Sequence, residues 1–275
     1  MIQQIADDIW AETGIRGCNH SIVATSEGVV MIDTPYLPSD AMRWRDEVGK
    51  WGKVSHIINL EPHADHCMGN TFFPGTAIGQ EGTRAVMADI PLEDIMRRVR
   101  EFDPQSLPLM DDYRIRLPSV TFGDRLSLYL GGCTFELLHL PGHTLSQTAV
   151  YMPQEKVLFT GDNVVFRVQG HFFQSHPGRW LESLERIGQM DVRTIVPGHG
   201  ELCDVGYIPE MIAYIGDWVA EVRGAIDRGR SREEAMGDIS FLSRYPMVPG
   251  TEARGPEVQR QNVARVYDLI TGGEL

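Results

Sequence analysis

Cysteine is scarce in this chain, and its four residues of this type are widely separated. They form no Cys-x-x-Cys pair, so we expect reduced thiols rather than a framework of disulfides. No apolar run approaches the ~20 residues that a membrane span requires. Residues 1–8 contain neither the basic nor the apolar segment of a secretory signal, which predicts a cytoplasmic protein that crosses no membrane. The cysteines are Cys18, Cys67, Cys133 and Cys203.

Basic residues are outnumbered by acidic ones. The chain has 25 lysines and arginines against 38 acidic residues, which gives a formal net charge of −13. A surface with this balance repels the phosphates of nucleic acids, so we expect no nucleic-acid partner. The 275 residues are 42% hydrophobic and 23% charged. This composition predicts a globular protein with one large layered domain or two small ones.

The most informative segment is the hexapeptide at residues 61–66, which reads Glu-Pro-His-Ala-Asp-His. Four of its six side chains are able to bind a metal ion. Residues 54–60 are mostly apolar and β-branched, and they predict a buried strand that ends at the hexapeptide. Loops at strand ends are common positions for functional sites. Imidazole and carboxylate groups at this spacing suit Zn, Mn or Fe.

Three later fragments each place one more potential ligand directly after a strand-like run. His143 follows the run 133–138, Asp162 ends a run that starts at Lys156, and His199 ends a third run. Each ligand has a glycine next to it, which allows a tight turn and a close approach of the backbone to an ion. The repeated arrangement, more than any single fragment, indicates a metal site.

These four fragments, in this order, resemble those of the metallo-β-lactamase superfamily over about residues 5–205. The resemblance implies an α/β fold, a four-layer αββα sandwich in which two sheets face each other and helices cover both outer sides. It also implies a family-like domain over residues 1–205. A C-terminal helical extension over residues 206–275 is expected to pack on the same domain.

The resemblance also implies seven ligands for two divalent metal ions. One ion is expected on Glu61, His63 and His143, the other on Asp65, His66 and His199, with Asp162 bridging both. Such sites hydrolyse an ester, lactone, thioester or amide bond of a small-molecule substrate through a hydroxide held between the ions. Asp65 is the expected catalytic residue, because it would orient that hydroxide and move its proton towards the leaving group.

Glu61 is the one departure from the implied ligand pattern, which has histidine at this position. Carboxylates on Glu61, Asp65 and Asp162 would face the four positive charges of two divalent ions, and a hydroxide would make the core neutral. We therefore expect the Glu61 position to take Mn or Fe at least as readily as Zn. A diiron redox enzyme is the alternative. Relatives of that kind carry glutamate at the second histidine position, where this chain keeps His63, so hydrolysis is favoured.

The rest of the chain predicts strands before the hexapeptide and helices near the C-terminus. An antiparallel meander is expected over 9–33, followed by a helix that Ser39 and Asp40 cap and that runs to about Lys50. Asp33 is expected either to orient a metal ligand or to form a plain turn. Hairpins are expected over 124–139 and 147–160, a covering helix over 180–190, and C-terminal helices over 208–226, 232–236 and 256–270.

Substrate contacts are expected from segments outside the ligand loops. His171, Phe173 and His176 lie between Asp162 and the covering helix, in a segment that overlies the metals in the resembling family. A surface-loop position is the alternative for both histidines. Residues 82–118 carry an apolar helical stripe that lines the entrance or packs as a buried helix face, and its periodicity favours burial. The C-terminal helices either wall the cleft or form the surface of a homodimer.

Overall fold

The computed structural model describes residues 2–275 and contains two β-sheets that pack face to face. The first sheet has seven strands, arranged in the order in which they occur along the chain. They are β1 (Ile2–Ala6), β2 (Ile9–Glu12), β3 (His20–Thr25), β4 (Gly28–Ile32), β5 (Val54–Asn59), β6 (Thr76–Gln80) and β7 (Val120–Phe122). The second sheet has five: β8 (Arg125–Leu130), β9 (Cys133–His139), β10 (Thr148–Met152), β11 (Val157–Val165) and β12 (Thr194–His199).

Strand direction decides which strand ends meet. Strands β2 to β4 form the predicted antiparallel meander, β1 extends it by a further antiparallel strand, and β4 to β7 run parallel. In the second sheet β10 is antiparallel to both β9 and β11, while β12 is parallel to β11. Strands β9, β11 and β12 therefore point the same way, and their carboxyl ends lie at the same edge of the sheet.

Helices cover the outer face of each sheet. Helix α1 packs on the first sheet, and α5, α6 and α8 share a core with the second. The helices are α1 (Pro38–Val48), α2 (Ala64–Cys67), α3 (Glu81–Ala88), α4 (Leu92–Phe102), α5 (Pro177–Gly188), α6 (Ile208–Asp227), α7 (Arg232–Asp238) and α8 (Gly255–Thr271). Short 3-10 helices lie at Met68–Phe72, Pro104–Met110, Val205–Tyr207 and Glu252–Arg254.

Successive side chains of a strand point to opposite faces of its sheet, and in the inner strands both faces are buried. In β4, Val29 and Met31 pack towards α1, whereas Val30 and Ile32 pack between the sheets. Both faces of the strand are covered, so no polar face is needed. The predicted α/β fold, an αββα sandwich with a C-terminal helical region, is confirmed.

The predicted cap of the first helix was wrong. The helix begins at Pro38 rather than after Ser39 and Asp40, and Leu37 at its N-cap position makes no side-chain hydrogen bond. Proline suits the first helical turn because its φ is already helical and it has no N–H to satisfy. The capping oxygen comes from far along the chain, since the backbone N–H of Ser39 donates to Oδ2 of Asp103 at 2.9 Å.

Strands β1, β6 and β7 were not predicted, while both expected hairpins and the expected covering and C-terminal helices are present. In the apolar stripe of residues 82–118, Met87 of α3 and Ile95 and Val99 of α4 are at most 1% exposed, as the periodicity favoured. Phe102 at the end of α4 instead lines a cavity. Across residues 2–275, none of the helices has the length and apolar character that a membrane crossing demands.

Candidate metal centre

All seven predicted ligands lie at one edge of the sandwich, where both sheets contribute loops. The first sheet provides residues 61–66, which leave β5 and enter the short helix α2. The second sheet provides His143 after β9, Asp162 within β11 and His199 at the end of β12. The common direction of these three strands brings the later ligands to the same edge as the hexapeptide.

Glu61, His63 and His143 form the first group of ligand atoms. Glu61 Oε2 is 2.5 Å from His63 Nδ1 and 3.5 Å from His143 Nε2. His143 Nε2 is 3.1 Å from His63 Nδ1. Two ligand atoms that bind one ion at about 2 Å lie about 3.3 Å apart in tetrahedral geometry. The first group therefore has the dimensions of a metal site.

Asp65, His66 and His199 form the second group, and their ligand atoms all lie within 4.8 Å of one another. Asp162 lies between the two groups. Its Oδ1 is 3.3 Å from His66 Nε2, and its Oδ2 is 3.3 Å from His199 Nε2 and 3.6 Å from His143 Nε2. Asp162 thus contacts histidines of both groups, as a bridging carboxylate must.

Several of these buried atoms lack a well-directed hydrogen bond, and this tests whether a metal fits. Glu61 Oε2, His66 Nε2 and Asp162 Oδ1 are buried without such a partner. Each buried, unsatisfied polar atom costs about 1–3 kcal/mol, a cost that a bound cation removes. Carboxylate oxygen and imidazole nitrogen are also the donors that Zn, Mn and Fe prefer. The residues present therefore fit divalent metal ions.

The electrostatics of the site favour cations strongly. Burial would raise the pKa of Glu61, but the neighbouring histidines, with His66 foremost, lower it to about 2. Burial would lower the pKa of His199, but Asp162 and Asp65 raise it to about 10. The carboxylates are therefore ionised and hold protons on nearby imidazoles. Metal ions would bind by replacing those protons.

Glu61 is held by one oxygen and presents the other to the site. Its Oε1 accepts hydrogen bonds from the backbone N–H of Asp162 at 3.0 Å and from Gln147 Nε2 at 3.3 Å. Gly161 makes this contact possible, because a Cβ there would lie 2.3 Å from Gln147 Nε2. Sequence reasoning missed Gln147, which is 86 residues from Glu61 and carries no local signal. The two donors fix Glu61 so that Oε2 is the free ligand atom.

Asp33 orients His66, as the first of its two expected roles predicts. Asp33 Oδ2 is 2.7 Å from His66 Nδ1, and Asp33 Oδ1 accepts a hydrogen bond from the backbone N–H of Leu60 at 2.8 Å. Asp33 is in the left-handed region at φ 56°, which aspartate tolerates better than most residues. The contact fixes the His66 ring with Nε2 towards the ligand group.

Amide side chains that the sequence did not reveal support two more ligands. Asn163 follows Asp162 in β11, and its Oδ1 accepts a hydrogen bond from the backbone N–H of His143 at 3.0 Å. Asn163 Nδ2 donates to the backbone oxygen of Leu140 at 2.6 Å, which fixes the other end of the same turn. Gln174 Oε1 is 2.9 Å from His63 Nε2, which leaves His63 Nδ1 for the ligand group.

A cavity of about 140 Å³ opens onto the ligands. His171 and Phe173, two of the three predicted substrate contacts, line it together with His63, His143 and Asp162 among others. Burial, and to a smaller degree His143, lower the pKa of His171 to about 4, so its imidazole is neutral. The ring of Phe173 lies 5.1 Å from that of His63 and is 41% exposed.

The geometry does not support His176 as a substrate contact. His176 is absent from the residues that line the cavity. Its Nδ1 accepts a hydrogen bond from the backbone N–H of Arg179 at 3.3 Å, which caps the start of α5. Cys67 is also removed from the chemistry, because its thiol is 2% exposed and faces the backbone oxygens of Pro62 and His63.

Solved structures and curated proteins resemble this chain over most of its length. A metallo-β-lactamase from Pontibacter korlensis superposes with a TM-score of 0.61 at 21% identity, covering 78% of this chain and 98% of that one. A hydroxyacylglutathione hydrolase of Rhodospirillum rubrum is 24% identical over 90% of this chain and 84% of its own length. An atrochrysone carboxyl ACP thioesterase of a Cryptosporiopsis species is 28% identical over 94% of this chain and 70% of its own length.

Other curated relatives match over smaller parts. Three alignments at 36%, 25% and 32% identity cover 28%, 54% and 32% of those proteins, so the chain spans about a quarter to a half of their length. The family model of the metallo-beta-lactamase superfamily matches residues 13–199, which include all seven candidate ligands. The chain therefore belongs to the metallo-β-lactamase superfamily.

Proposed function

We propose that this protein is a binuclear metal-dependent hydrolase of an ester, lactone, thioester or amide bond in a small molecule. The observation that supports this proposal best is the convergence of seven candidate ligand side chains from both sheets, whose carboxylate and imidazole atoms face one another at the same edge. Within that range we favour a thioester. Two relatives that align over 90% and 94% of the chain are named as a hydroxyacylglutathione hydrolase and an acyl-carrier-protein thioesterase, and both names describe thioester chemistry.

The ligand groups suggest how two ions would be held. Glu61, His63 and His143 would hold one, while Asp65, His66 and His199 would hold the other, with Asp162 shared between them. When bound, such ions lower the pKa of water to near neutrality and polarise the carbonyl of the substrate. We also propose that Glu61 stands where relatives have histidine, and that it favours Mn or Fe at its position.

Asp65 is the residue we assign to proton transfer. Its Oδ2 faces His199 Nε2 at 3.4 Å, and its side chain is 28% exposed, more than that of Glu61 or Asp162. Asp65 also lines the cavity, so a proton taken from water at this carboxylate can pass to a leaving group. The neutral imidazole of His171 and the ring of Phe173 would hold the substrate beside it.

The test is a substrate screen on protein reconstituted with Zn, Mn or Fe, using thioesters, lactones, aryl esters and β-lactams. We expect metal-dependent hydrolysis that is fastest for thioesters and that falls at least a hundredfold in Asp65→Asn, even when excess metal restores the metal content of this variant. Asp112→Asn, at an exposed position, is the matched control. Metal-independent turnover, or full activity of Asp65→Asn, would refute the assignment. Oxygen consumption by iron-loaded protein without hydrolysis would instead support the diiron alternative.

A further inference from the structure

We propose that Arg16, Arg98 and Arg254 form a binding subsite for an anionic group on the substrate. We call these three residues the arginine rim. The inference rests on the proposed hydrolase function and adds a substrate class: compounds that carry a carboxylate or phosphate separate from the bond that is cleaved. All three arginines line the same cavity as the metal ligands.

The rim is built from segments that carry no metal ligand. Arg16 lies between β2 and β3, Arg98 lies in α4, and Arg254 ends the 3-10 helix before α8. The segment 82–118 and the C-terminal region thus each deliver one guanidinium group to a cavity whose ligands come from strand ends. Segments that surround a shared chemical centre usually determine which substrate binds.

The charges around the cavity are unbalanced in favour of an anion. The acidic residues that line it are Asp65 and Asp162, both candidate metal ligands whose charge the ions would offset. In the described part of the chain, the only lysine or arginine side chains on the cavity wall are the three arginines of the rim. The whole chain carries a net charge of −13, so a cluster of three cations runs against the overall balance. A cationic cavity in an acidic protein selects anionic ligands.

None of the rim arginines forms an ion pair within the described residues, whereas nine other arginines do. Arg98 Nη1 donates to the hydroxyl of Tyr36 at 3.0 Å. Arg16 Nη2 donates to the backbone oxygen of Gly250 at 3.0 Å, and its guanidinium lies 4.6 Å from the centre of the Phe102 ring. These contacts hold two guanidinium groups in place and leave other N–H groups free for an oxyanion.

The rim lies beside the reacting centre. A Cβ at Gly17 would meet Cβ of Tyr36 at 2.6 Å and Cβ of Asp65 at 3.6 Å, so the tyrosine that binds Arg98 and the candidate catalytic carboxylate pack on the same backbone position. The rim and the candidate ligands line one cavity of about 140 Å³. The anionic group and the scissile bond of the substrate would therefore lie in the same cavity.

Calorimetric titration of the metal-loaded protein tests the subsite without turnover. The probes are glutarate, glycerol 3-phosphate and the neutral dimethyl glutarate. We expect at least one anionic probe to bind, dimethyl glutarate not to bind, and affinity to fall about tenfold in Arg98→Met and in Arg254→Met. Arg97→Met is the matched control, since it removes the same charge from the exposed side of the same helix. The tighter anion distinguishes a carboxylate from a phosphate subsite.

Hydrolysis gives a second readout, from two nitrophenyl esters that differ in charge. The anionic ester is the para-nitrophenyl monoester of glutaric acid, and the neutral ester is para-nitrophenyl pentanoate. The ratio of kcat/KM for the anionic ester to kcat/KM for the neutral ester should exceed one, and it should fall about tenfold in Arg98→Met with metal content unchanged.

Two results would overturn the arginine rim. One is that each anion binds wild type, Arg98→Met and Arg254→Met with the same affinity. The other is that neither anion binds the wild type. If the anions bind through the rim but no ester or thioester is cleaved, the proposed hydrolase function fails while the subsite stands.

Discussion

Replacing Glu61 by histidine should damage this site, although it supplies the residue type we expect in relatives. Oε1 of Glu61 accepts hydrogen bonds from the Asp162 backbone N–H and from Gln147 Nε2. When one nitrogen of a neutral imidazole binds a metal ion, the other nitrogen carries the proton. The ring then has no nitrogen left that is able to accept a hydrogen bond. Glu61→His therefore leaves two buried donors unsatisfied.

The magnitude follows from those two donors. In the metal-free protein one imidazole nitrogen is able to accept one of the two hydrogen bonds, so at least one donor stays unsatisfied. A buried, unsatisfied donor costs about 1–3 kcal/mol, so Glu61→His should destabilise the metal-free protein by about 1–3 kcal/mol. At about 2–4 °C per kcal/mol for a chain of this size, the melting temperature should fall by roughly 2–12 °C. Gln147→Leu removes one of the donors, so the double variant should be less destabilised than the sum of the single changes, by about 1 kcal/mol.

The assay is thermal unfolding of chelator-treated protein, followed by elemental analysis of protein made in medium with balanced Zn, Mn and Fe. Glu185→His, at an exposed position on α5, controls for the change of residue type. Wild type should contain Mn or Fe as well as Zn, and Glu61→His should shift the content towards Zn. Stoichiometric Zn at both positions of the wild type, with neither metal content nor melting temperature changed by Glu61→His, would refute the reasoning.

Three further outcomes are expected. Asn163→Ala should reduce metal content and lower stability by about 2–4 kcal/mol, because the backbone groups of His143 and Leu140 lose their buried partners; elemental analysis and denaturant unfolding measure both effects. Chelation should lower the melting temperature of the wild type, and metal titration should release protons that a pH-indicator dye detects, since bound ions displace the protons held by imidazoles. Burial would raise the pKa of Glu12, but contacts with His20 and Arg43 lower it to about 2, so its contribution of about 1–3 kcal/mol should be present above pH 4.5 and lost as pH falls towards 2; the wild type should show this loss in denaturant unfolding and Glu12→Gln should not.

The candidate ligands could be proposed from sequence because each lies in a short, local pattern. A strand-like run, a glycine and one ionisable side chain are recognisable wherever they occur, and the resemblance supplied the assignment of Glu61, His143 and Asp162 to one centre. The amides of Gln147 and Asn163 could not be found in this way. Their partners are distant in sequence or are backbone groups, and an isolated glutamine or asparagine is most often a solvated surface residue.

The same distinction applies to the fold. Alternating or continuous apolar runs located most strands, but the start of α1 depended on Asp103, which contacts Ser39 from 64 residues away. The cavity wall was equally hidden, because the arginine rim draws on three separate segments. The sequence grouped His176 with His171 and Phe173 as substrate contacts. The structure shows that His176 instead caps a helix through its hydrogen bond with the backbone N–H of Arg179.

The division of the ligands between two sheets has a consequence for how the protein folds. His63 and His143 are separated by 80 residues, and Glu61 and Asp162 by 101. Metal ions held by such pairs would act as cross-links that close long chain segments, and they would join the two sheets at this edge. The complete seven-ligand centre would require both sheets to be in place, so bound ions would stabilise the native state more than any partly folded state that contains one sheet.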